Sequence, residues 1–152
     1  MTGSSRTELH AQVAHAFQGV RGLPAEDIVL EQYRHNVDAR AMAGAFGGRH
    51  WTELSLDELF FHRESVFMFS AAGYLSYLPA YLVGCLRDDP ERVPDISSYT
   101  ISGLRTERKR RTTRQRLELF DEDQCAAVAA VLRHLAESSD DERIERILAV
   151  WP

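Results

Sequence analysis

Apolar residues recur at helical spacing along most of the chain, and polar segments with helix-start signals separate them. Three capping boxes, each a Ser or Asp followed three residues later by Glu or Gln, predict helix starts at Ser5, Ser55 and Asp121. The apolar positions after each box fit the 3.6-residue period of one buried face. The pattern predicts a mainly α-helical, compact single domain of about five to seven helices.

The aromatic-rich stretch from Trp51 to Leu86 predicts the central helix. Ser70 is its expected N-cap, and leucines and tyrosines then form two neighbouring stripes that together cover most of the helix surface. The stripes consist of Leu75, Leu78, Leu82 and Leu86, and of Tyr74, Tyr77 and Tyr81. Pro79 removes a backbone hydrogen bond inside this pattern, so the helix either kinks or restarts there.

Because both stripes face protein, we expect Tyr77, Leu78 and Leu82 to be nearly fully buried. We expect them to pack against Trp51 and against the predicted helix from Asp121 to Glu137.

Two stretches allow more than one interpretation. The pattern from about 28 to 46 fits one long helix, or two shorter helices broken near Asn36. Residues 95–104 alternate as in a strand but also suit a helical turn. A second interpretation is therefore one short β-hairpin that pairs this stretch with Leu117 and Leu119.

Three segments carry the more distinctive motifs. They read W-T-E-L-S-L-D-E-L from Trp51, F-S-A-A-G-Y-L-S-Y-L-P-A-Y-L from Phe69 and L-F-D-E-D-Q-C-A-A-V from Leu119. Together they resemble a family of small bacterial domains of unknown function over about residues 28–136, with Y-L-P-A-Y-L as the most specific part. This chain has Ala71 where the family often has proline. The resemblance implies a mainly helical fold and no particular activity.

Length and composition fit one globular domain over residues 1–152. No apolar run approaches the ~20 residues of a membrane span, and the polar N-terminus lacks the apolar region of a signal peptide. Cys85 and Cys125 each lie in an apolar helical pattern, which suits a reducing compartment better than a disulfide framework. We therefore expect a cytoplasmic protein with no membrane partner.

Residue types that carry chemistry are present, but their spacing defines no site. The six histidines are scattered, with no i, i+4 pair and no cluster with cysteine. No G-x-S-x-G motif occurs, and the acidic pairs lie at predicted helix ends, where they favour capping. We expect no enzyme activity, no metal and no cofactor, although a catalytic site that assembles only in space stays open.

The basic loop at about 105–116 departs from the rest of the chain. It holds seven basic residues and one acidic residue, a net charge of +6. The whole chain has a net charge of −5, so the residues outside the loop carry a net charge of −11. The candidate partner-binding residues are Arg108, Lys109, Arg110, Arg111, Arg114 and Arg116. We expect all six to be exposed, because a buried cation needs a matching carboxylate.

A strongly acidic body with one basic loop favours binding over catalysis. The first hypothesis is a protein-binding module, an immunity-type protein that neutralises a bacterial toxin, because an acidic body complements a basic toxin surface. The alternative is a nucleic-acid-associated accessory protein whose arginines contact phosphates. A third interpretation of the loop is a solvated segment with no partner. The oligomeric state is not defined by the sequence.

Overall fold

A computed structural model describes residues 3–105 and 111–152, and these ranges contain helices and no strand beyond one isolated bridge between Val29 and Phe69. Four short 3₁₀ helices are Ala25–Asp27, Glu31–Tyr33, Trp51–Glu53 and Arg63–Met68. The eight α-helices of these ranges are α1 (Arg6–Ala16), α2 (Val37–Phe46), α3 (Leu56–Phe61), α4 (Ala71–Cys85), α5 (Val93–Leu104), α6 (Thr113–Arg116), α7 (Glu122–Glu137) and α8 (Glu142–Ala149). The expected mainly α fold is confirmed.

The helices begin where the local sequence signals place them. All three predicted capping boxes form, so Ser5, Ser55 and Asp121 begin α1, α3 and α7. Asn36 caps α2 by accepting two backbone N–H groups, which makes the pattern from 28 to 46 two elements rather than one helix. Ser70 Oγ accepts the Gly73 N–H at 3.0 Å and caps α4. These starts are local, because one side chain satisfies the first N–H groups of each helix.

The open interpretation of residues 95–104 is resolved as helix. They belong to α5, whose buried residues recur at helical spacing: Ile96, Thr100, Ile101 and Leu104. The hairpin alternative is therefore wrong. Leu117, its proposed partner, is buried directly after α6, and Leu119 is 52% exposed.

Helix α4 is the central element, as expected. It runs through Pro79 as one helix, so the restart alternative is wrong. Tyr77, Leu78 and Leu82 are each 0% exposed, which confirms their predicted burial. α4 is in contact with α1, α3, α5 and α6, and with the 3₁₀ helix that holds Trp51.

The predicted packing of α4 on the helix from Asp121 to Glu137 is not among the main helix contacts of the described ranges, although both helices contribute to one hydrophobic cluster. That helix, α7, packs chiefly on α1 and α8. α1 contacts both α4 and α7 and so links them. Its buried residues Leu9 and Val13 belong to the same hydrophobic cluster as Leu78 and Val128.

The tyrosine stripe of α4 is fully buried, and each hydroxyl donates a hydrogen bond to a backbone carbonyl of another segment. These bonds run from Tyr74 to Gly103 (2.9 Å), from Tyr77 to Phe46 (2.9 Å) and Arg49 (3.0 Å), and from Tyr81 to His62 (3.2 Å). The stripe therefore belongs to the core, where it satisfies carbonyl groups that would otherwise lose their hydrogen bonds to water.

Candidate functional site

Of the six predicted partner-binding residues, the structure describes Arg111, Arg114 and Arg116, whereas residues 108–110 lie outside the described ranges. The one-turn helix α6 carries the last two. Thr112 and Gln115 form a capping box at its start. One turn of helix directs positions 113, 116 and 117 to the same side, and all three residues there are buried.

Arg114 is exposed, as expected, whereas Arg116 is 1% exposed, so its predicted exposure is wrong. The physical reason is the turn of α6, which places Arg116 on the inner face beside Thr113 and Leu117. The Thr113 hydroxyl donates to the Leu104 carbonyl at 2.8 Å and fixes this turn to the end of α5.

Arg111 is half-buried, so its predicted exposure is also wrong in part. Its Nη1 donates to the Phe69 carbonyl at 2.9 Å, and its guanidinium lies 5.9 Å from the centre of the Tyr74 ring. These contacts hold the chain just before α6 against the start of α4. Within the described ranges, Arg114 is thus the most accessible of the candidate cations.

Arg116 has an uncommon environment for a cation. Its Nε and Nη1 atoms are buried and have no hydrogen-bond partner in the part of the chain that the structure describes. Burial lowers the pKa of Arg116, an effect that the Tyr74 hydroxyl opposes and the neighbouring Arg111 charge reinforces. An arginine stays protonated in proteins, so the side chain is a buried cation.

A second charged feature lies between α6 and α7. We call Glu118, Asp121, Glu122 and Asp123 the acidic ridge; all four are exposed. None of them forms an ion pair with a cation of the described ranges. Leu119 lies among them and is 52% exposed, although leucine is usually buried. The ridge therefore combines unneutralised negative charge with an exposed apolar side chain.

A groove of about 700 Å³ opens beside the acidic ridge, between the end of α1 and the start of α7. We call it the α1–α7 groove. Asp121 and Asp123 line one wall, Arg21 lines another, and Leu75 of α4 contributes apolar surface. Gln124 Nε2 donates to the Ala16 carbonyl at 3.2 Å, which joins the two helices at this groove.

The sequence signal for the ridge was present but was interpreted differently. Asp121 does cap α7, as predicted, by accepting the Gln124 N–H at 2.8 Å. Capping needs only this one carboxylate, so the other three acids of the ridge are in excess of what the helix start requires. The sequence pattern assigns Asp121, Glu122 and Asp123 to capping or solvation of a helix start, and Glu118 is the fourth acid within these six residues around the exposed leucine.

Two groups of the described ranges that could carry chemistry, Cys85 and His62, are buried. Burial raises the pKa of the Cys85 thiol to about 11, so the reactive thiolate is scarce at neutral pH. Burial also lowers the pKa of His62, whose ring packs edge-on against Phe46 and Phe61. No group of three or more His, Cys, Asp or Glu side chains within 3–105 and 111–152 could hold a metal ion. The expected lack of catalysis and of metal stays a prediction.

None of the helices in the described ranges combines the length and the apolar character that crossing a bilayer requires.

These observations define a compact, mainly helical domain with an acidic ridge, an adjoining groove and one buried arginine. The sequence profile of the family of unknown function DUF6714 matches residues 5–151, so the chain belongs to this family. Neither the curated proteins nor the solved structures include a match to the chain.

Proposed function

We propose that the chain is a protein-binding module of the immunity type, which neutralises a bacterial toxin by covering a basic surface on it. The observation that carries this proposal is the acidic ridge: four exposed carboxylates around an exposed leucine, without ion pairs in the described ranges. We place the protein in the bacterial cytoplasm, which suits the two free cysteines.

Exposed carboxylates that form no ion pair with a cation of the described residues keep their charge available for a protein partner. Complementary charge steers the encounter of two proteins and excludes partners of the wrong sign. Leu119 gives the ridge an apolar contact point, which resembles the arrangement of a protein interface with an apolar centre and a polar rim. The groove beside it offers concave surface for a protruding side chain of the partner.

The alternative, a nucleic-acid-associated protein that uses the basic loop, has less support within the described ranges. Arg111 donates to a backbone carbonyl and Arg116 is buried, so neither presents its full charge to a phosphate chain. The exposed carboxylates of the acidic ridge begin two residues after Arg116 and would repel a long polyanion that runs along this surface. We therefore rank the protein partner first.

A charge-reversal experiment tests the proposal. The ridge variant replaces Glu118, Glu122 and Asp123 with lysine and retains Asp121 as the cap of α7. The control variant makes the same change in charge at exposed acids elsewhere, namely Asp88, Glu91 and Glu145. Each is co-expressed with a candidate basic toxin chosen from the products of the flanking genes, and host growth and the association rate constant are measured.

We expect the ridge variant to lose protection of the host and to associate about 10- to 100-fold more slowly at low salt, whereas the control variant retains both properties. Equal loss in the two variants would show that only net charge matters, and full activity of the ridge variant would refute the proposal. Micromolar binding of duplex DNA or RNA at physiological salt, abolished by serine at the six basic candidates, would establish the alternative instead.

A further inference from the structure

The side chain of Arg116 has no neutralising partner in the ranges that the structure describes. It is 1% exposed, its Nε and Nη1 have no hydrogen-bond acceptor there, and no described carboxylate forms an ion pair with it. Buried polar groups in folded proteins are almost always hydrogen-bonded, and buried charges are almost always paired. A charged group in this condition indicates that a partner is missing.

A second cation adds to the positive charge that lacks a counterion. Arg111 lies close enough to Arg116 for its charge to lower the pKa of Arg116, and its guanidinium lies 5.9 Å from the centre of the Tyr74 ring. The Tyr74 hydroxyl donates its proton to Gly103 and has lone pairs that can accept an N–H of Arg116, but a neutral hydroxyl does not neutralise the cation. Two guanidinium groups and one hydroxyl thus meet at the junction of α4, α5 and α6, with about two positive charges to be neutralised.

We propose that Arg116 and Arg111 form a binding site for a doubly charged oxyanion, of which the phosphoryl group is the common biological form. A dianion neutralises both guanidinium groups and accepts the N–H protons that have no acceptor at Nε and Nη1. Arg111 is half-buried, so one of the two arginines of the site is partly accessible. The site is separate from the acidic ridge and does not depend on the function proposed above.

Inorganic phosphate is the probe, added to the full-length protein in a phosphate-free buffer, with sodium chloride and sodium acetate at equal ionic strength for comparison. The melting temperature and the heat of binding are measured. We expect phosphate, and sulfate as a second dianion, to raise the melting temperature beyond the chloride value, because a ligand of the folded state stabilises it. No increase beyond matched chloride would overturn the proposal.

Two arginine variants locate the effect. Arg116→Met removes the buried cation, and Arg114→Met removes an exposed cation from the same helix with the same change in net charge. Phosphate affinity should fall at least about tenfold in Arg116→Met and stay close to that of the wild type in Arg114→Met. Equal losses in both variants would show a general charge effect and would overturn the proposal. If Arg116→Met does not fold, the Nε–H resonance of Arg116 in the wild-type protein decides: a saturable shift with phosphate supports the site, and an unchanged resonance refutes it.

An internal counterion is the competing explanation, and Glu107 is the acidic residue of the basic loop. Glu107→Gln should leave phosphate binding intact, and a double-mutant cycle with Arg116→Met should show no coupling between the two residues. Strong coupling together with no response to phosphate would identify Glu107 as the partner of Arg116 and would overturn the proposal.

Discussion

The hydroxyl of Tyr77 is the best-connected polar group in the core, and its removal makes a graded test of the fold. The oxygen accepts the Leu23 N–H at 3.1 Å and shares its proton between the carbonyls of Phe46 and Arg49. Tyr77→Phe retains the ring and deletes all of these bonds. Three backbone groups from two segments then lose a buried partner.

The expected loss of stability follows from the number of hydrogen-bond partners of the Tyr77 hydroxyl. A neutral hydrogen bond contributes about 0.5–1.5 kcal/mol, and a buried group left without a partner costs about 1–3 kcal/mol. With a donor and two acceptors affected, we expect Tyr77→Phe to lower the free energy of unfolding by about 2–4 kcal/mol. Among the residues that the structure describes, the Tyr81 hydroxyl makes one hydrogen bond, to the His62 carbonyl at 3.2 Å, so Tyr81→Phe should cost about 1 kcal/mol.

Equilibrium unfolding in urea, monitored by circular dichroism, measures these differences. If the slope of the free energy of unfolding against urea concentration stays constant, the shift of the urea midpoint gives the change in stability. The surface control is Tyr99→Phe, because Tyr99 is 37% exposed and its hydroxyl donates a hydrogen bond to the exposed Glu64 carboxylate. That change should stay within about 0.5 kcal/mol of the wild type. If Tyr77→Phe proved as mild as Tyr99→Phe, the view that the tyrosine stripe anchors the surrounding segments to α4 would be wrong.

Three other changes probe different parts of the core. Leu82→Ala should cost about 2–5 kcal/mol in urea unfolding, because the leucine is fully buried in α4 and its removal leaves a cavity. Gly73→Ala should cost about 2–3 kcal/mol or more, since a Cβ there would clash with the Ile28 carbonyl oxygen. The hydrogen bond from Arg49 lowers the pKa of Glu58 to about 2 from 4.5, so the pair stabilises the fold fully above about pH 4.5 and loses its effect as the pH falls through about 2. Glu58→Gln should therefore cost about 1–2 kcal/mol at pH 7, after allowance for partial solvent exposure, and the difference from the wild type should vanish across that acidic range.

Each of these changes has a matched control. Val37→Ala removes an apolar side chain that is 80% exposed and should be nearly neutral. Gly44→Ala meets no atom within 4 Å and should stabilise α2 by about 0.5–1 kcal/mol, the opposite sign to Gly73→Ala. Glu26→Gln, at an exposed acid, should change the free energy of unfolding by less than about 0.5 kcal/mol at pH 7. A pH-independent cost for Glu58→Gln would refute the role of the ion pair.

Helix starts could be predicted from the sequence because a capping box acts within four residues. Ser5, Ser55 and Asp121 each satisfy the first backbone N–H groups without help from the rest of the fold. Residues 95–104 were ambiguous for the opposite reason. Their apolar positions fit both the helix period of 3.6 residues and the strand period of two. Packing against α4 and the 3₁₀ helix Arg63–Met68 favours the helix over the strand.

The candidate site was harder to predict, because burial of a charged side chain depends on distant segments. Charge alone suggested that Arg116 is exposed, yet the Thr112-x-x-Gln115 capping box already marked a helical turn with Arg116 and Leu117 on one side. Nothing in the sequence indicated that Tyr74, about 40 positions earlier, would lie beside it. The acidic ridge was visible as a run of charge, but its lack of ion pairs in the described ranges became evident only in three dimensions.

The enclosure of α4 has a consequence for hydrogen exchange and for recognition. Because α1, α3, α5 and α6 all cover α4, its amide protons can exchange only when most of the molecule opens, and they should be among the slowest to exchange. Leu75 and Ser76 of this same helix contribute to the α1–α7 groove. A partner that reaches the groove would meet a surface fixed by the slowest-opening helix, so little entropy is lost in ordering that surface on binding.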